Sequence, residues 1–251
     1  MKNKSLHFAV GLILSLVVHT SGFGQVKANS YIELYTGASW LGGNPTKNDY
    51  SNPAAGFAKT PGVTFGLSGT HYVNAHLGIG GLFSYTEYGM KSDQLAAGTD
   101  AAYGTAYGEA KVTSYRTISF LIGPVYSMKA LDWLIIDYRV AVGVSSTTSP
   151  QINYSLLDQN DAGQPVSYNF YQNKSTASAL GMQAGVGARI RVYKGIGVSV
   201  RADYFYFKPN FSLSYTGVQN YSPAGRYITS YNQPFSGITT SFGITYRLGK
   251  N

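Results

Sequence analysis

The chain of 251 residues contains no cysteine, so disulfides, thiolate metal ligands, a thiol nucleophile and a lipidated cysteine anchor are all excluded. Charged residues are also scarce, at 12% of the chain, whereas they make up about a quarter of a typical soluble domain. Beyond the N-terminal segment, no apolar stretch approaches the roughly 20 residues that a membrane-spanning helix requires. A helical membrane protein is therefore excluded, and the low charge argues against an ordinary soluble domain.

Residues 1–24 have the pattern of a secretory signal peptide. Lys2 and Lys4 form a short positive segment before an apolar run, and small residues precede a cleavage position at Gln25. A membrane anchor is the alternative interpretation, but the apolar run is too short to cross a bilayer. We therefore expect a cleaved leader followed by one domain, residues 25–251. Because both leader lysines are lost, the net charge falls from +8 to +6.

Eight segments alternate apolar and polar residues with a period of two, which is typical of strands with one apolar face. Each reaches the roughly 9 to 11 residues that a tilted membrane strand needs. In the clearest segment, aliphatic residues occupy one face, whereas Asp137 and Arg139 occupy the other. The predicted strands are residues 30–41, 62–73, 76–88, 114–126, 132–146, 178–193, 195–207 and 236–248.

The connections between these strands alternate long and short, starting with a long one. The short connections are residues 74–75, 127–131 and 194, and the long ones are residues 42–61, 89–113, 147–177 and 208–235. This alternation places both chain ends on the side of the short turns. The predicted fold class is all-β: an eight-stranded antiparallel up-and-down transmembrane β-barrel in a bacterial outer membrane, with long extracellular loops and short periplasmic turns.

Aromatic residues gather near the ends of the predicted strands, as in the girdles of membrane barrels. The periplasmic girdle is predicted to contain Tyr31, Tyr126, Trp133 and Tyr193, and the outer one Trp40, Tyr85, Tyr88, Tyr115 and Tyr206.

The polar faces of the strands carry charged side chains that would point into the barrel. An eight-stranded barrel has an interior that side chains just fill, and a buried charge is costly unless it is paired. We therefore predict a hydrated ion-pair network in the lumen, formed by Glu33, Asp137, Arg139, Arg189, Arg191, Arg201, Asp203 and Arg247. Glu33 and Arg247 are expected to pair near the periplasmic rim, where the first and last strands meet. A second cluster is expected higher in the membrane, formed by Asp137, Arg139, Arg201 and Asp203.

With its leader, eight strands and alternating connections, the chain resembles the small outer-membrane β-barrels, such as the membrane domain of OmpA and OmpX. The resemblance covers most of the chain after the leader. The last strand also resembles the signal read by the barrel-assembly machinery, a polar-x-Gly-x-x-aromatic-x-apolar pattern matched by Ser241, Gly243, Tyr246 and Leu248. The resemblance implies outer-membrane lipid and the assembly machinery as partners of a monomeric protein.

No residue set in the sequence predicts catalysis. His71 and His76 flank a predicted periplasmic turn, and no serine has a mapped histidine partner, so we expect no enzymatic activity, cofactor or metal. The arginines point inward, so we expect no nucleic acid binding, and a lipocalin-type barrel would have the opposite, apolar interior. The predicted function is a structural or surface role in the envelope. The alternatives are a narrow gated porin-like channel, and an adhesin or receptor that binds a surface ligand through tyrosine-rich loops.

Overall fold

A computed structural model of the chain describes residues 30–49, 55–103, 108–159, 165–219 and 222–248. The predicted signal peptide lies outside these residues, and its cleavage stays a prediction. The strands are β1 (Tyr31–Gly42), β2 (Gly62–Tyr72), β3 (Leu77–Tyr88), β4 (Glu109–Val112), β5 (Tyr115–Leu131), β6 (Leu134–Thr148), β7 (Ile152–Gln159), β8 (Pro165–Gln172), β9 (Thr176–Tyr193), β10 (Ile196–Phe207), β11 (Asn210–Gln219), β12 (Ser222–Asn232) and β13 (Phe235–Arg247).

Eight of these strands close into an antiparallel up-and-down barrel with the order β1-β13-β10-β9-β6-β5-β3-β2. The seam joins the first and last barrel strands, and Leu34 of β1 lies opposite Leu67 of β2 on one side and Ile244 of β13 on the other. The predicted fold class is confirmed. One turn is shorter than predicted, because the pairing of β5 with β6 continues to Leu131 and leaves only residues 132–133 between the strands.

The two faces of the barrel strands differ in polarity, as the alternation of apolar and polar residues predicts. Outward side chains are apolar and exposed, such as Leu34, Phe120 and Phe242, each about two-thirds exposed. Inward side chains include the charged residues Glu33 and Asp203, which are fully buried. The barrel therefore has an apolar exterior and a polar interior, the inverse of a soluble β-barrel.

Three of the long connections are more ordered than predicted. Strands β4, β7, β8, β11 and β12 form a second, five-stranded sheet with the order β12-β11-β8-β7-β4. This sheet joins different connections to each other, since Tyr215 of β11 lies opposite Gln172 of β8. The strands within these connections were not predicted, because pairing between segments far apart in the chain leaves no local signature that separates it from polar loop sequence.

The connection between β3 and β4 also contains a helix, α1 (Ser92–Tyr103), that was not predicted from the sequence. The Thr99 hydroxyl donates a hydrogen bond to the carbonyl oxygen of Leu95, one turn earlier, at 2.8 Å, and both side chains are buried. Among the residues described, no helix is both long enough and apolar enough to cross a membrane.

The long-loop end of the barrel is covered by an apolar cluster that we term the aromatic cap. It is contributed by the ends of the barrel strands and by the adjoining connections. The Phe207 and Phe235 rings stack at a centroid distance of 5.1 Å, and the Tyr115 ring packs edge-on against Phe235. The buried members of the cap are Leu41, Phe57, Ala58, Tyr88, Met90, Leu95, Tyr115, Phe207, Phe211, Leu213 and Phe235.

Candidate functional site

The deepest ion pair in the lumen joins Glu33 of β1 to Arg201 of β10. Arg201 Nη1 lies 3.0 Å from Glu33 Oε2, and the two side chains are 3% and 1% exposed. Ser68 of β2 donates a hydrogen bond to Glu33 Oε2 at 2.7 Å, and Ser199 of β10 donates one to Glu33 Oε1. Both carboxylate oxygens are therefore satisfied, which offsets the cost of removing the charge from water.

The Arg201 guanidinium makes further contacts that fix its orientation. Its Nε donates to the hydroxyl of Ser241 at 3.2 Å, and its Cζ lies 3.8 Å from the centroid of the Tyr35 ring. A cation over an aromatic face is attracted by the ring quadrupole, and more strongly when both are dry. Arg201 is thus held by an ion pair and a ring on β1 and by a hydroxyl on β13.

Strand β13 lies between β1 and β10, and its small inward residues let the side chains of its neighbours meet above it. Gly243 lies opposite Tyr35 on one side and Ser199 on the other. A Cβ atom at Gly243 would lie 2.9 Å from both Glu33 Oε1 and Ser199 Oγ, closer than real Cβ atoms approach other atoms. Glycine at this position therefore makes room for the contact between Glu33 and Ser199.

A second ion pair joins Asp137 of β6 to Arg189 of β9. Arg189 donates to both carboxylate oxygens, with Nε at 2.6 Å from Oδ2 and Nη2 at 3.0 Å from Oδ1. Arg189 Nη2 also donates to the Tyr72 hydroxyl at 2.9 Å, and Ser127 donates to Asp137. The guanidinium carbon lies 3.7 Å from the centroid of the Tyr31 ring. Two-fold hydrogen bonding of this kind is the strongest form of the arginine–carboxylate pair.

A third ion pair joins Arg139 of β6 to Asp203 of β10, across the intervening strand β9. Arg139 Nε lies 3.3 Å from Asp203 Oδ1, and both side chains are buried. Gly185 of β9 lies opposite both residues in the sheet register. A Cβ atom at Gly185 would overlap the Asp203 carboxylate and lie 2.6 Å from the carbonyl oxygen of Ala202. The pair therefore depends on glycine at this position.

The first and third pairs are linked, because Asp203 Oδ2 also lies 4.0 Å from Arg201 Nε. The expectation that Glu33 pairs with Arg247 was wrong: Glu33 lies opposite Thr245, and its partner is Arg201. Asp137 also pairs outside the predicted second cluster, with Arg189. The stagger of the strands around the barrel explains both differences. Because of this stagger, an inward side chain meets a partner that lies diagonally from it, and not the residue directly opposite in the register.

Two of the predicted network residues lie instead at the rim on the short-turn side. Arg191 is exposed and Arg247 is half-buried, and neither makes an ion pair with any of the residues described. Nearby, the Lys129 ammonium lies 2.5 Å from the Asp132 carboxylate. The hydrogen bond from Lys129, together with its positive charge, lowers the pKa of Asp132, which lies in the turn outside the strands.

Above the ion pairs, the lumen is filled by hydroxyl groups that bond to one another across adjacent strands. Ser119 and Ser145 lie 2.9 Å apart, as do Thr117 and Thr147, and both pairs are buried. A cavity of only about 40 Å³ remains among these side chains, with room for a few water molecules. The aromatic cap lies beyond this layer. Ion pairs, hydroxyls and the cap thus occupy successive levels of the lumen.

Several residues of this network were assigned elsewhere from the sequence or were missed. Tyr31 was placed in the periplasmic girdle but is buried in the lumen beneath Arg189. Tyr88 and Tyr115 were placed in the outer girdle but are buried in the aromatic cap. The position of Tyr31 could have been predicted, because Tyr31 lies two residues before Glu33 on the same strand and therefore faces the lumen as Glu33 does. The serine partners carried no comparable signal, because serine is also frequent in the loops.

The two histidines retained after the leader make local contacts at the short-turn end. His71 Nδ1 lies 3.0 Å from the Ser30 hydroxyl, and His76 Nδ1 lies 3.0 Å from the carbonyl oxygen of Ser127. Within the described part of the chain, no group of three or more histidine, aspartate or glutamate side chains is placed to hold a metal ion.

The residues of the predicted assembly signal divide between the two faces of β13. Ser241 and Gly243 face the lumen, where they contact the ion-pair network. Tyr246 and Leu248 are exposed on the outer side, 53% and 42% respectively. Recognition of this strand by the assembly machinery stays a prediction, and the lumen contacts show a second, structural reason for the small residues.

No protein-family model and no curated protein matches the chain. Among solved structures, a major outer membrane protein from Thermus thermophilus aligns with 88% of this chain and 100% of its own, at 11% identity and a TM-score of 0.50. Ail, the attachment invasion locus protein of Yersinia pestis, aligns with 89% of this chain and 100% of its own, at 13% identity and a TM-score of 0.45. OprG from Pseudomonas aeruginosa aligns with 90% of this chain and 99% of its own, at 13% identity and a TM-score of 0.43.

The Thermus protein and OprG are outer membrane proteins of bacteria. At such low identity, the similarity to the Thermus protein shows a shared fold and nothing further. The fold expected from the resemblance to small outer-membrane β-barrels is confirmed by that similarity and by the closed eight-stranded barrel.

Proposed function

We propose that the protein is a monomeric, non-enzymatic integral protein of a bacterial outer membrane, with a structural role in the envelope. In this proposal the short turns face the periplasm and the five-stranded sheet is displayed at the cell surface. The barrel is a sealed scaffold, and its lumen stabilises the fold rather than conducting solutes.

The observation that carries this proposal is the distribution of charge and apolar surface across the barrel wall. Exposed apolar side chains continue around the outside, including Phe65 on β2, Val142 on β6 and Val200 on β10. A soluble monomer rarely exposes an apolar patch of more than a few hundred Å². Hydrocarbon around the barrel would cover this surface, and strand closure leaves no unpaired edge in lipid.

The lengths of the strands are consistent with a membrane span. The barrel strands contain between 11 and 18 residues, and a tilted membrane strand requires about 9 to 11. Aromatic side chains also lie on the outer surface near the short turns, as in the interfacial girdle of a membrane barrel. They include Tyr126, Trp133, Tyr193 and Tyr246.

The contents of the lumen favour a sealed scaffold over the channel alternative. A continuous aqueous path would have to cross the ion pairs, the hydroxyl layer and the aromatic cap. The rings of Phe211 and Phe235 in that cap are completely buried. Opening such a path would separate buried opposite charges, which costs about 3–5 kcal/mol for each ion pair that is broken.

The proposal is tested by locating and reconstituting the protein. We expect it to sediment with the outer membrane in a sucrose gradient and to migrate differently on unheated and heated gels. Because the chain has no cysteine, Val73→Cys and Ser212→Cys introduce single thiols at opposite ends of the barrel. An impermeant maleimide is expected to label Ser212→Cys in intact cells, and Val73→Cys only after permeabilisation.

The purified protein is expected to be silent in a planar bilayer. Discrete conductance events that change in Arg201→Ala would contradict the sealed scaffold and support a pore. A deletion strain is expected to be more sensitive to detergent, and unchanged sensitivity would argue against the envelope role. Recovery of the protein in the soluble fraction would refute the whole proposal.

A further inference from the structure

The end of the lumen nearest the short turns contains a pocket that the ion-pair network does not fill. We term it the short-turn mouth. It has a volume of about 90 Å³ and opens to solvent. Tyr31 and Arg189 contribute to its lining, together with side chains from the strand ends and turns, among them Arg191, Lys194 and Arg247.

The charges around the short-turn mouth do not balance. The basic residues that line it are Lys129, Arg189, Arg191, Lys194 and Arg247, and the only acidic residue of the described chain in the lining is Asp132. Asp132 pairs with Lys129, and Asp137 in the lumen pairs with Arg189. Three cations therefore form no ion pair among the residues described, namely Arg191, Lys194 and Arg247, although, after Lys129, the charge of Arg191 contributes to lowering the pKa of Asp132.

We propose that the short-turn mouth binds an anionic phosphate group, held by Arg191 and Arg247 with Lys194 at the edge. Guanidinium groups present several fixed N–H donors to a phosphate and bind it in a defined orientation. The backbone positions of both arginines are fixed, because Arg191 N donates to the carbonyl oxygen of Trp133 at 2.9 Å and Arg247 N donates to that of Gly195 at 2.7 Å.

The size of the pocket agrees with a small oxyanion. By this measure of volume, about 10–15 Å³ is enough for one water molecule, so 90 Å³ accommodates several waters or one phosphate group. The lumen beyond Arg189 is packed, so the ligand enters from the short-turn side. Two sources have this chemistry on that side: free phosphate and the headgroup of a phospholipid in the adjoining leaflet.

The two tryptophans of the chain provide a direct measurement. Trp133 lies in the turn beside Asp132, whereas Trp40 lies on β1 near the opposite end of the barrel. In a Trp40→Phe variant, Trp133 is the only tryptophan. Titration with inorganic phosphate in neutral detergent is expected to shift its fluorescence saturably, and chloride at matched ionic strength is expected not to.

Substitution of the two arginines separates binding from general charge screening. Arg191→Gln and Arg247→Gln are each expected to weaken phosphate binding about tenfold, since one charge-assisted hydrogen bond has roughly this effect. Arg116→Gln is the matched control, because Arg116 is an exposed arginine at the opposite end of the barrel, beside Glu87. Unheated gel mobility verifies that each variant is folded.

Nanodiscs distinguish the two sources. A shift of Trp133 fluorescence in discs of net-anionic phosphatidylglycerol relative to discs of phosphatidylcholine, whose phosphate is offset by the attached choline cation, supports the site with an anionic lipid headgroup as ligand if the shift is lost in Arg191→Gln. A response to free phosphate alone supports the site with a soluble ligand. No saturable response in either arm, or equal weakening by Arg116→Gln, would overturn the proposal.

The periplasmic origin of the ligand rests on the proposed function, whereas binding itself does not. Labelling of Val73→Cys in intact cells would refute the orientation but leave phosphate binding by the purified barrel measurable. Conversely, a barrel that fractionates with the outer membrane but responds neither to free phosphate nor to the anionic lipid would refute only this site.

Discussion

Arg201 connects three strands in the lumen, and its replacement by methionine tests whether the ion pair with Glu33 stabilises the barrel as the geometry indicates. Methionine keeps much of the apolar stem and removes the charge. Glu33 would stay buried with only its two serine donors. Loss of one partner from a buried pair costs about 3–5 kcal/mol, and loss of the cation–π contact with Tyr35 adds about 1 kcal/mol. We expect a total of about 4–6 kcal/mol.

The reciprocal substitution, Glu33→Gln, is expected to cost less, about 2–3 kcal/mol, because Arg201 keeps Asp203 at 4.0 Å as a second counter-charge. Glutamine also retains hydrogen-bonding capacity toward Ser68 and Ser199. In the double variant neither charge of the pair remains, so we expect a loss of only about 1–2 kcal/mol. The coupling energy is therefore at least about 4 kcal/mol, well outside the additivity of independent sites.

The free energy of unfolding is measured by urea titration in phospholipid vesicles, followed by tryptophan fluorescence and by the mobility of unheated samples. The control is Arg116→Met with Glu87→Gln, an ion pair whose side chains are 55% and 36% exposed. An exposed pair of this kind contributes about 0–1 kcal/mol. A cost below about 1 kcal/mol for Arg201→Met, or strict additivity in the double variant, would refute the role assigned to the pair.

Two further predictions concern individual positions. Gly185→Ala places a methyl group against the Asp203 carboxylate, and we expect it to lower the free energy of unfolding by about 1–3 kcal/mol in the same titration. Gly81→Ala is the control, because no atom lies within 4 Å of the added Cβ, and we expect it to cost less than about 1 kcal/mol. Equal costs for the two variants would contradict the packing argument. The Asp132 carboxyl is expected to titrate below an ordinary aspartate in NMR, and Lys129→Ala to raise its pKa. Because the pKa of Asp132 is lowered in the folded protein, any stabilisation of the fold by this carboxylate is present at neutral pH and is lost as the pH falls through that pKa. An unchanged pKa of Asp132 in Lys129→Ala would contradict the role of Lys129.

The barrel strands were predictable because their signal is local. In a strand with lipid on one side and a polar lumen on the other, apolar and polar residues must alternate with a period of two. The sequence of each segment therefore predicts which of its side chains face the lipid and which face the lumen. The limits of β1 and β10 lie within a residue of the predicted ones. The end of β5 was predicted less well, because residues 127–131 carry a weaker alternation than the pairing with β6 imposes.

The outer sheet was not predictable in the same way. Strands β8 and β11 pair across about forty residues of chain, and their edges meet only because the barrel brings both connections to the same end. Tyr154 illustrates the consequence. The tyrosine-rich connections were interpreted as ligand-binding loops, yet Tyr154 is buried, and its hydroxyl donates a hydrogen bond to Asp100 at 2.6 Å. The outer region is therefore more ordered than a set of free loops.

The faces of the charged residues followed from parity, but their partners did not. The alternation of apolar and polar residues along β1 predicts that Glu33 points inward. Its partner, however, depends on the register of β1 with β13 and of β13 with β10, and on the stagger of the barrel. Glu33 was predicted to pair with Arg247 because the first and last barrel strands are neighbours. In the register, Arg247 lies opposite Tyr31, at the open rim, and Arg201 reaches Glu33 diagonally across β13.

The register also explains why glycine recurs between charged strands. At the level of the first and third ion pairs, long charged side chains project from β1, β6 and β10, and the strands between them, β13 and β9, carry Gly243 and Gly185. A barrel of eight strands is too narrow for large side chains on every strand at one level, so large and small residues must alternate around it. Gly185 and Gly243 are therefore part of the charged network, since Gly185 leaves room for the Asp203 carboxylate beside Arg139 and Gly243 leaves room for the contact between Glu33 and Ser199.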